Sequence, residues 1–294
     1  LLDFYEELGT AARMPQYNPE RHTTEDVVRQ AIIPGSKAEA CAFAELMAPA
    51  GKRPDCMVTH TWGSLFFDLM AAVVADALGD PDYTMATYLL LCDIGALRQM
   101  LHTRGTRTRT YWICAFSVNQ HAGICESDPH LKCDSVSGFP HPTCDCGRTK
   151  FFNTTAPTYQ GRSVNCEMNK FTDLMSFLAA HNPRFEQIIV ADSAFSLFQR
   201  AWCVAEIAQA HALGMVQHLK VLTKEDIATQ EGALRGLRVQ EMEASRPEDI
   251  EEIMREIPDP DAFNRELQQL IFDRGTGLLQ AWLNAEQRMA RAGH

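Results

Sequence analysis

The chain has no apolar run approaching the ~20 residues that span a membrane. Its most apolar helical stretch, Leu65 to Leu78, is interrupted by Asp68 and Asp76. No secretory signal is visible, although the chain starts at Leu1 and an address ahead of that residue stays open. Positive charge is scarce: 27 Lys and Arg stand against 38 Asp and Glu, a formal net charge of −11. So acidic a surface repels phosphate backbones, which argues against a nucleic-acid partner. The one dense basic run, "RGTRTR" from Arg104 to Arg109, reads as a solvated loop ahead of a strand. There is no repeat at solenoid period and no paired C-x2-C motif. The expectation is a protein of the reducing cytoplasm, with neither membrane nor nucleic acid as partner.

What is present is an ordinary globular composition, 46% hydrophobic and 22% charged over 294 residues. That is enough chain for one large domain or two small ones. Residues 1 to about 55 read as helical and irregular. Thr23 or Thr24 serves as cap for a helix that Pro34-Gly35 ends. Cys56 to Thr61 is a short apolar, β-branched run. A Gly63-Ser64 step follows, and then apolar positions 66, 69, 70, 73, 74 and 77 at helical spacing: strand, turn, helix. Thr110 to Ser117, "TYWICAFS", is a second strand, "QIIVAD" from Gln187 to Asp192 a buried third, and "HLKVL" from His218 to Leu222 a fourth. Phe171 to Ala180 and Phe198 to Leu213 are the helices between them.

This alternation predicts an α/β fold, a parallel sheet with helices on both faces, spanning about 56–222. An acidic helical extension follows over 223–294. In the extension, Ser245-Arg246-Pro247-Glu248 fits a capping box, and Ile250, Ile253, Met254 and Ile257 form one apolar stripe. Phe263, Leu267, Leu270 and Ile271 begin a further helix after Pro258-Asp259-Pro260.

Ligands of open parallel sheets bind beyond the carboxyl ends of the strands. There the chain places His60, Thr61, Trp62, Gly63 and Ser64 after the first strand, and Ser117, Asn119 and His121 after the second. Asp192 and Ser193 follow the third. The next helix opens with "RAWCVAE", where Trp202 and Glu206 share a face at i, i+4 spacing. On that reading Val204, Ala205, Ala208 and Ala212 turn to the sheet. His121 reads three ways, as turn residue, pocket residue or metal ligand.

"RAWCVAE" resembles the Trp-Cys-x-x-Glu segment of Toll/interleukin-1 receptor domains, which opens the helix after the third strand. "VTHTWGSLFFDLMAAVVADAL" is similar to that family's first strand and helix. The resemblance implies a flavodoxin-like fold. For the enzymatic members it also implies cleavage of the nicotinamide–ribose bond of NAD or a related nucleotide, with Glu206 as the essential acid and Trp202 beside it. His60, Trp62, Ser64, Ser117, Asn119 and Asp192 are the companion substrate-binding candidates, Trp62 as packing anchor as much as pocket wall. NAD cleavage requires no cofactor, and a homo-oligomer is expected. The alternative is a non-catalytic signalling module that self-associates through the same surface. Two departures stand out. The "THTW" turn carries no arginine, and a Cys-rich insertion over about 118–169 replaces the usual short loop after the second strand.

Ten cysteines is a high count. Cys56, Cys92, Cys114 and Cys203 lie in apolar segments and read as small buried hydrophobes. In the insertion, Cys125, Cys133, Cys144 and Cys146 are separated by seven, ten and one residues. They form a candidate zinc set in which His130, His141 or Cys166 are substitutes. Free thiols and disulfides are the competing readings. A catalytic zinc would make the insertion the centre of a metal-dependent enzyme, with Glu126 or Asp145 available as base.

Overall fold

The computed structural model describes residues 1–126, 132–244, 247–255 and 257–292. Four parallel strands form one sheet: β1 (Cys56–Thr59), β2 (Tyr111–Ile113), β3 (Glu186–Val190) and β4 (Val216–Lys220), in the order β2-β1-β3-β4. This is the flavodoxin-like layout: the chain moves outward from β1 to β2, then returns across β1 to add β3 and β4. The reversal leaves a switch point between β1 and β3.

All four residues of β1 are buried, as are the last four of β3. This is why both strands read as unbroken apolar runs rather than alternating ones. Cys56, Val58, Ile188 and Val190 face the helix α1 (Phe66–Leu78), in the largest cluster of the core. Gly79, at φ 77°, ends α1 by donating back to Ala75 and Asp76, a left-handed position that suits a residue without Cβ. On the opposite face Met57 packs with Met175, Leu178 and Ala210. Those side chains come from α4 (Phe171–His181) and α5 (Ala201–Ala212), so helices cover both sides of the sheet.

Two helices between α1 and β2, namely α2 (Thr84–Cys92) and α3 (Ile94–Thr103), were not anticipated. Met85, Tyr88 and Leu91 are exposed on α2 while Leu89 and Leu90 are buried, so its apolar residues form no single stripe. Cys92, expected inside, is exposed at its end. The second strand is also shorter than "TYWICAFS" suggests. After Ile113 the chain turns into one helical turn, Cys114–Ser117, and the Ser117 hydroxyl accepts from the Ile113 amide. Near the N-terminus, Thr23 caps its helix reciprocally with Asp26. Pro34-Gly35 does not end that helix: a π-helical turn (Val28–Ile32) leads into a further turn, Ile33–Ser36, with proline at its second residue.

Beyond β4 come α6 (Lys224–Arg235), α7 (Pro247–Arg255), α8 (Pro260–Phe272) and α9 (Leu278–Ala292). Leu267, Leu270, Ile271, Ile253 and Trp282 bury themselves with Ile207 and Val204 of α5. The Trp282 indole donates to the Pro81 carbonyl at 2.9 Å, tying α9 back to the loop after α1. Ser245 and Arg246 of the expected capping box lie outside the described residues. No helix among the described residues is long and apolar enough to cross a membrane.

Candidate functional site

Two polar groups collect at the carboxyl side of the sheet. The first surrounds Glu206. Its carboxyl accepts a 2.6 Å hydrogen bond from the Thr59 hydroxyl, the last residue of β1. Thr59 in turn accepts from the Gln187 amide at 2.8 Å, and the Gln187 carbonyl accepts from Gln217 at 2.7 Å. Gln217 also donates to the Ile207 carbonyl, on the helix that carries Glu206. The relay therefore runs from β4 through β3 and β1 to α5. With Gln187 donating into it, the Thr59 oxygen directs its own hydrogen at the carboxylate.

Glu206 stays partly exposed, yet burial pushes its carboxyl up to about 7, opposed by the Thr59 hydrogen bond. Cys114 and Cys203 lie close by. Burial pushes the Cys114 thiol up to about 12 and the Cys203 thiol well above its ordinary value, and the Glu206 charge adds to both. Neither is a nucleophile at neutral pH.

The loops beyond the strands meet here. Ser64, after β1, donates to Asp192, after β3, and Ser196 donates to the same carboxylate. Trp62 donates to the Cys114 sulfur at 3.3 Å, which joins the exits of β1 and β2. His60 is buried between them, its Nε2 4.0 Å from that sulfur, and burial lowers its imidazole to about 4, so it is neutral. Cys203 of α5 donates to the His60 carbonyl at 3.4 Å.

Three expected site residues sit elsewhere. Ser117 is spent on the turn after β2. The Asn119 side chain donates to the Ala40 carbonyl and accepts from the His121 amide, which fixes a short 3-10 turn. The Trp202 indole donates to Asp249 of α7 at 3.1 Å and stands edge-on to Phe171, ring centroids 5.4 Å apart. Together with Ala205, Ala208, Gln209 and Ala212 it lines a cavity of about 280 Å³ between α5 and the C-terminal helices. Val204 and the three alanines thus face that cavity, and it is Ala210 that packs on Met57 of the sheet. The basic run contributes nothing to the site: Arg109 pairs with Asp76 at 2.8 Å and Glu186 at 2.6 Å, and Glu186 begins β3 at the far end of the sheet.

The second group lies in the insertion. The ligand atoms of His121, Cys125, Cys144 and Cys146 all lie within 4.8 Å of one another. Cys125 Sγ is 3.6 Å from Cys146 Sγ, and Cys144 Sγ is 3.6 Å from His121 Nδ1. A tetrahedral centre with bonds of about 2.3 Å to sulfur and 2.0 Å to nitrogen spaces its ligands roughly 3.5–3.8 Å apart. The group has the donor set and the spacing to hold a metal ion.

Three of the four expected cysteines are in the group and Cys133 is not. Cys133 is exposed and bridges to Pro140 at the mouth of a surface turn, so its place falls to His121. Among the described residues the substitutes are not there either. His141 pairs with Asp26 at 3.3 Å, Cys166 donates to Asn153 at 3.3 Å, and His130 lies outside the described residues. The spacing signal for His121 was its position four residues before Cys125. Asp145 pairs with Lys37, and Glu126 lies 3.6 Å from Lys150.

No family model, no curated protein and no solved structure matches this chain.

Proposed function

We propose that the chain is a Toll/interleukin-1 receptor-like domain that hydrolyses the nicotinamide–ribose bond of NAD or a related nucleotide, with Glu206 as the essential acid. The observation that carries the reading is the Glu206 carboxyl, anchored by the Thr59 hydroxyl beside the β1/β3 switch point on two regular elements. Two features support the family resemblance: the β2-β1-β3-β4 order and the place of Trp202-Cys203-x-x-Glu206 at the start of the helix after β3.

In the chemistry, the C1′–N bond breaks and its electron pair leaves with neutral nicotinamide. The Glu206 carboxylate stabilises the positive charge that develops on the ribose. Water then adds at C1′ and gives its proton to Glu206, a group whose affinity near 7 matches that task. A cationic nicotinamide ring favours the ionised carboxyl on binding. Trp62 joins this site through Cys114, whereas Trp202 serves the C-terminal helices.

The test is release of free nicotinamide from NAD at high protein concentration, with Glu206→Gln as comparison and circular dichroism to verify its fold. Release by the parent chain and loss in the variant support the reading. No release at any concentration, with measurable self-association, favours the signalling module.

For the insertion we propose zinc as the ion, since a set of three thiolates and one imidazole is a usual tetrahedral environment for it.

A further inference from the structure

The metal group has neighbours that the insertion alone does not explain. His121 places Nδ1 toward Cys144, and its Nε2 is 3.0 Å from the Ser36 hydroxyl. Ser36 donates its own hydrogen to the Ile32 carbonyl at 2.9 Å, so its oxygen is left to accept the Nε2–H. That arrangement selects the tautomer whose Nδ1 lone pair faces the sulfurs. Ligating histidines are usually held in this way, by a hydrogen bond from the ring nitrogen that does not touch the metal.

Ser36 belongs to the N-terminal segment, and its neighbours reach the other ligands. Arg29 donates at 2.6 Å to the carbonyl of Ile124, the residue before Cys125. Lys37 pairs at 2.5 Å with Asp145, the residue between Cys144 and Cys146. Gln30 donates to Asp134 at 2.6 Å, and His141 meets Asp26. Residues 26–37 thus touch each stretch that supplies a ligand. With four protein ligands in a closed set, no position is open for a water or a substrate, as in structural rather than catalytic sites.

We propose that a metal ion held by His121, Cys125, Cys144 and Cys146 clasps the N-terminal segment onto the α/β unit, with Ser36 as the residue that orients its histidine. This rests on the zinc reading, not on NAD cleavage. The ion draws the insertion's three ligand-bearing stretches into one surface, and the 26–37 segment is held between that surface and the core, where Val27, Val28, Ile32 and Ile33 are buried with Phe66 and Val58. Loss of the ion releases the segment while the sheet persists.

The test uses the full chain, purified without chelator. Metal content is measured by mass spectrometry, and cobalt(II) replaces the native ion. Hydrogen exchange is then followed with and without a chelator. The expected results are one equivalent of zinc, and tetrahedral cobalt bands with thiolate charge transfer that survive in Cys133→Ser and vanish in Cys146→Ser. On chelation, exchange should rise at least ~10-fold in residues 26–37, 119–126 and 132–146 and stay unchanged in 56–59 and 186–190. Ser36→Ala should retain the ion but lower its affinity roughly 10–100-fold in competition with a chromophoric chelator. The absence of both stoichiometric metal and cobalt bands would overturn the zinc reading itself. A bound ion whose removal leaves 26–37 equally protected would overturn the clasp alone, as would loss of protection spread evenly through the strands. Unchanged affinity in Ser36→Ala would remove Ser36 from the design.

Discussion

The two polar groups are built in opposite ways. Around Glu206 every member sits on a strand, at a strand end or on the following helix, and the bonds pass from one regular element to the next. Around His121 almost nothing is regular: the ligands come from a 3-10 turn and two stretches without assigned structure. The first group is rigid because the sheet is rigid, with or without a ligand. The second has little regular structure of its own, and an ion held there would supply order that the backbone does not. Removing one side chain should therefore affect the two groups differently, costing chemistry in the first and folding in the second.

The largest effect is expected at the metal. Cys144→Ser removes a ligand, so the ion should be lost and with it a large part of a binding free energy on the order of 10 kcal/mol. That free energy orders the insertion and residues 26–37 rather than the sheet, so protection should be lost there while the main melting transition moves little. Hydrogen exchange and calorimetry beside metal analysis read these effects. A variant that loses the ion and melts throughout at a much lower temperature would place the insertion inside the cooperative unit of the sheet and count against the clasp.

Glu206→Gln comes next and should do the reverse. Nicotinamide release should fall about 10²–10³-fold, the scale for removing a charge aimed at a transition state, while stability holds or rises. The sign follows from its raised carboxyl, at about 7 against an ordinary 4.5. The folded state favours the protonated form, so that contribution to stability is full below about 4.5 and is lost as pH rises through about 7. Above that pH the parent chain should be less stable than the glutamine variant by up to about 3 kcal/mol, and the two should converge in acid. Parallel denaturant titrations between pH 4 and 8 check this.

The same contrast accounts for what could be read in advance. β1 and β3 were legible because burial on both faces makes an unbroken apolar run, and Glu206 followed from its place on the helix after β3. α2 was not legible, since Met85, Tyr88 and Leu91 face solvent and blur the stripe that marks a helix. The end of β2 was hidden because Cys114–Ser117 is apolar enough to pass for strand, whereas the Ser117 hydroxyl turned back to Ile113 and the Val118 amide donating to Cys114 make it a turn. In the insertion, spacing along the chain named three of the four ligands. His121 had a local signal in its place four residues before Cys125, but its contact with Ser36, 85 residues away, lies beyond any local pattern.

Trp202 tests the boundary between the two kinds of site. If it were a nicotinamide platform, Trp202→Ala would raise KM. The indole is instead bonded to Asp249 and packed on Phe171, beside the C-terminal helices. Expected is a stability loss of about 3 kcal/mol, as for other large-to-small changes in a core, with KM for NAD nearly unchanged. A KM that rises tenfold at constant stability would return Trp202 to the substrate.

The smallest effect is expected from Thr59→Val, and it is the most specific. The hydroxyl does not touch the reacting atoms; it orients the carboxylate and favours its charged form. Without that donor the carboxyl should move above about 7, so the acid limb of the pH–rate profile shifts to higher pH. At pH 7 the rate should fall about tenfold and recover as pH is raised, which simple damage to the fold would not do. The change also strands the Gln187 amide, at a cost of about 1–3 kcal/mol. Thr59→Ser keeps both hydrogen bonds and should restore profile and stability together. If the serine variant matched valine in its profile, the hydroxyl would have no part in setting the charge of Glu206, and the relay from Gln217 onward would serve only to pack β4 against β3.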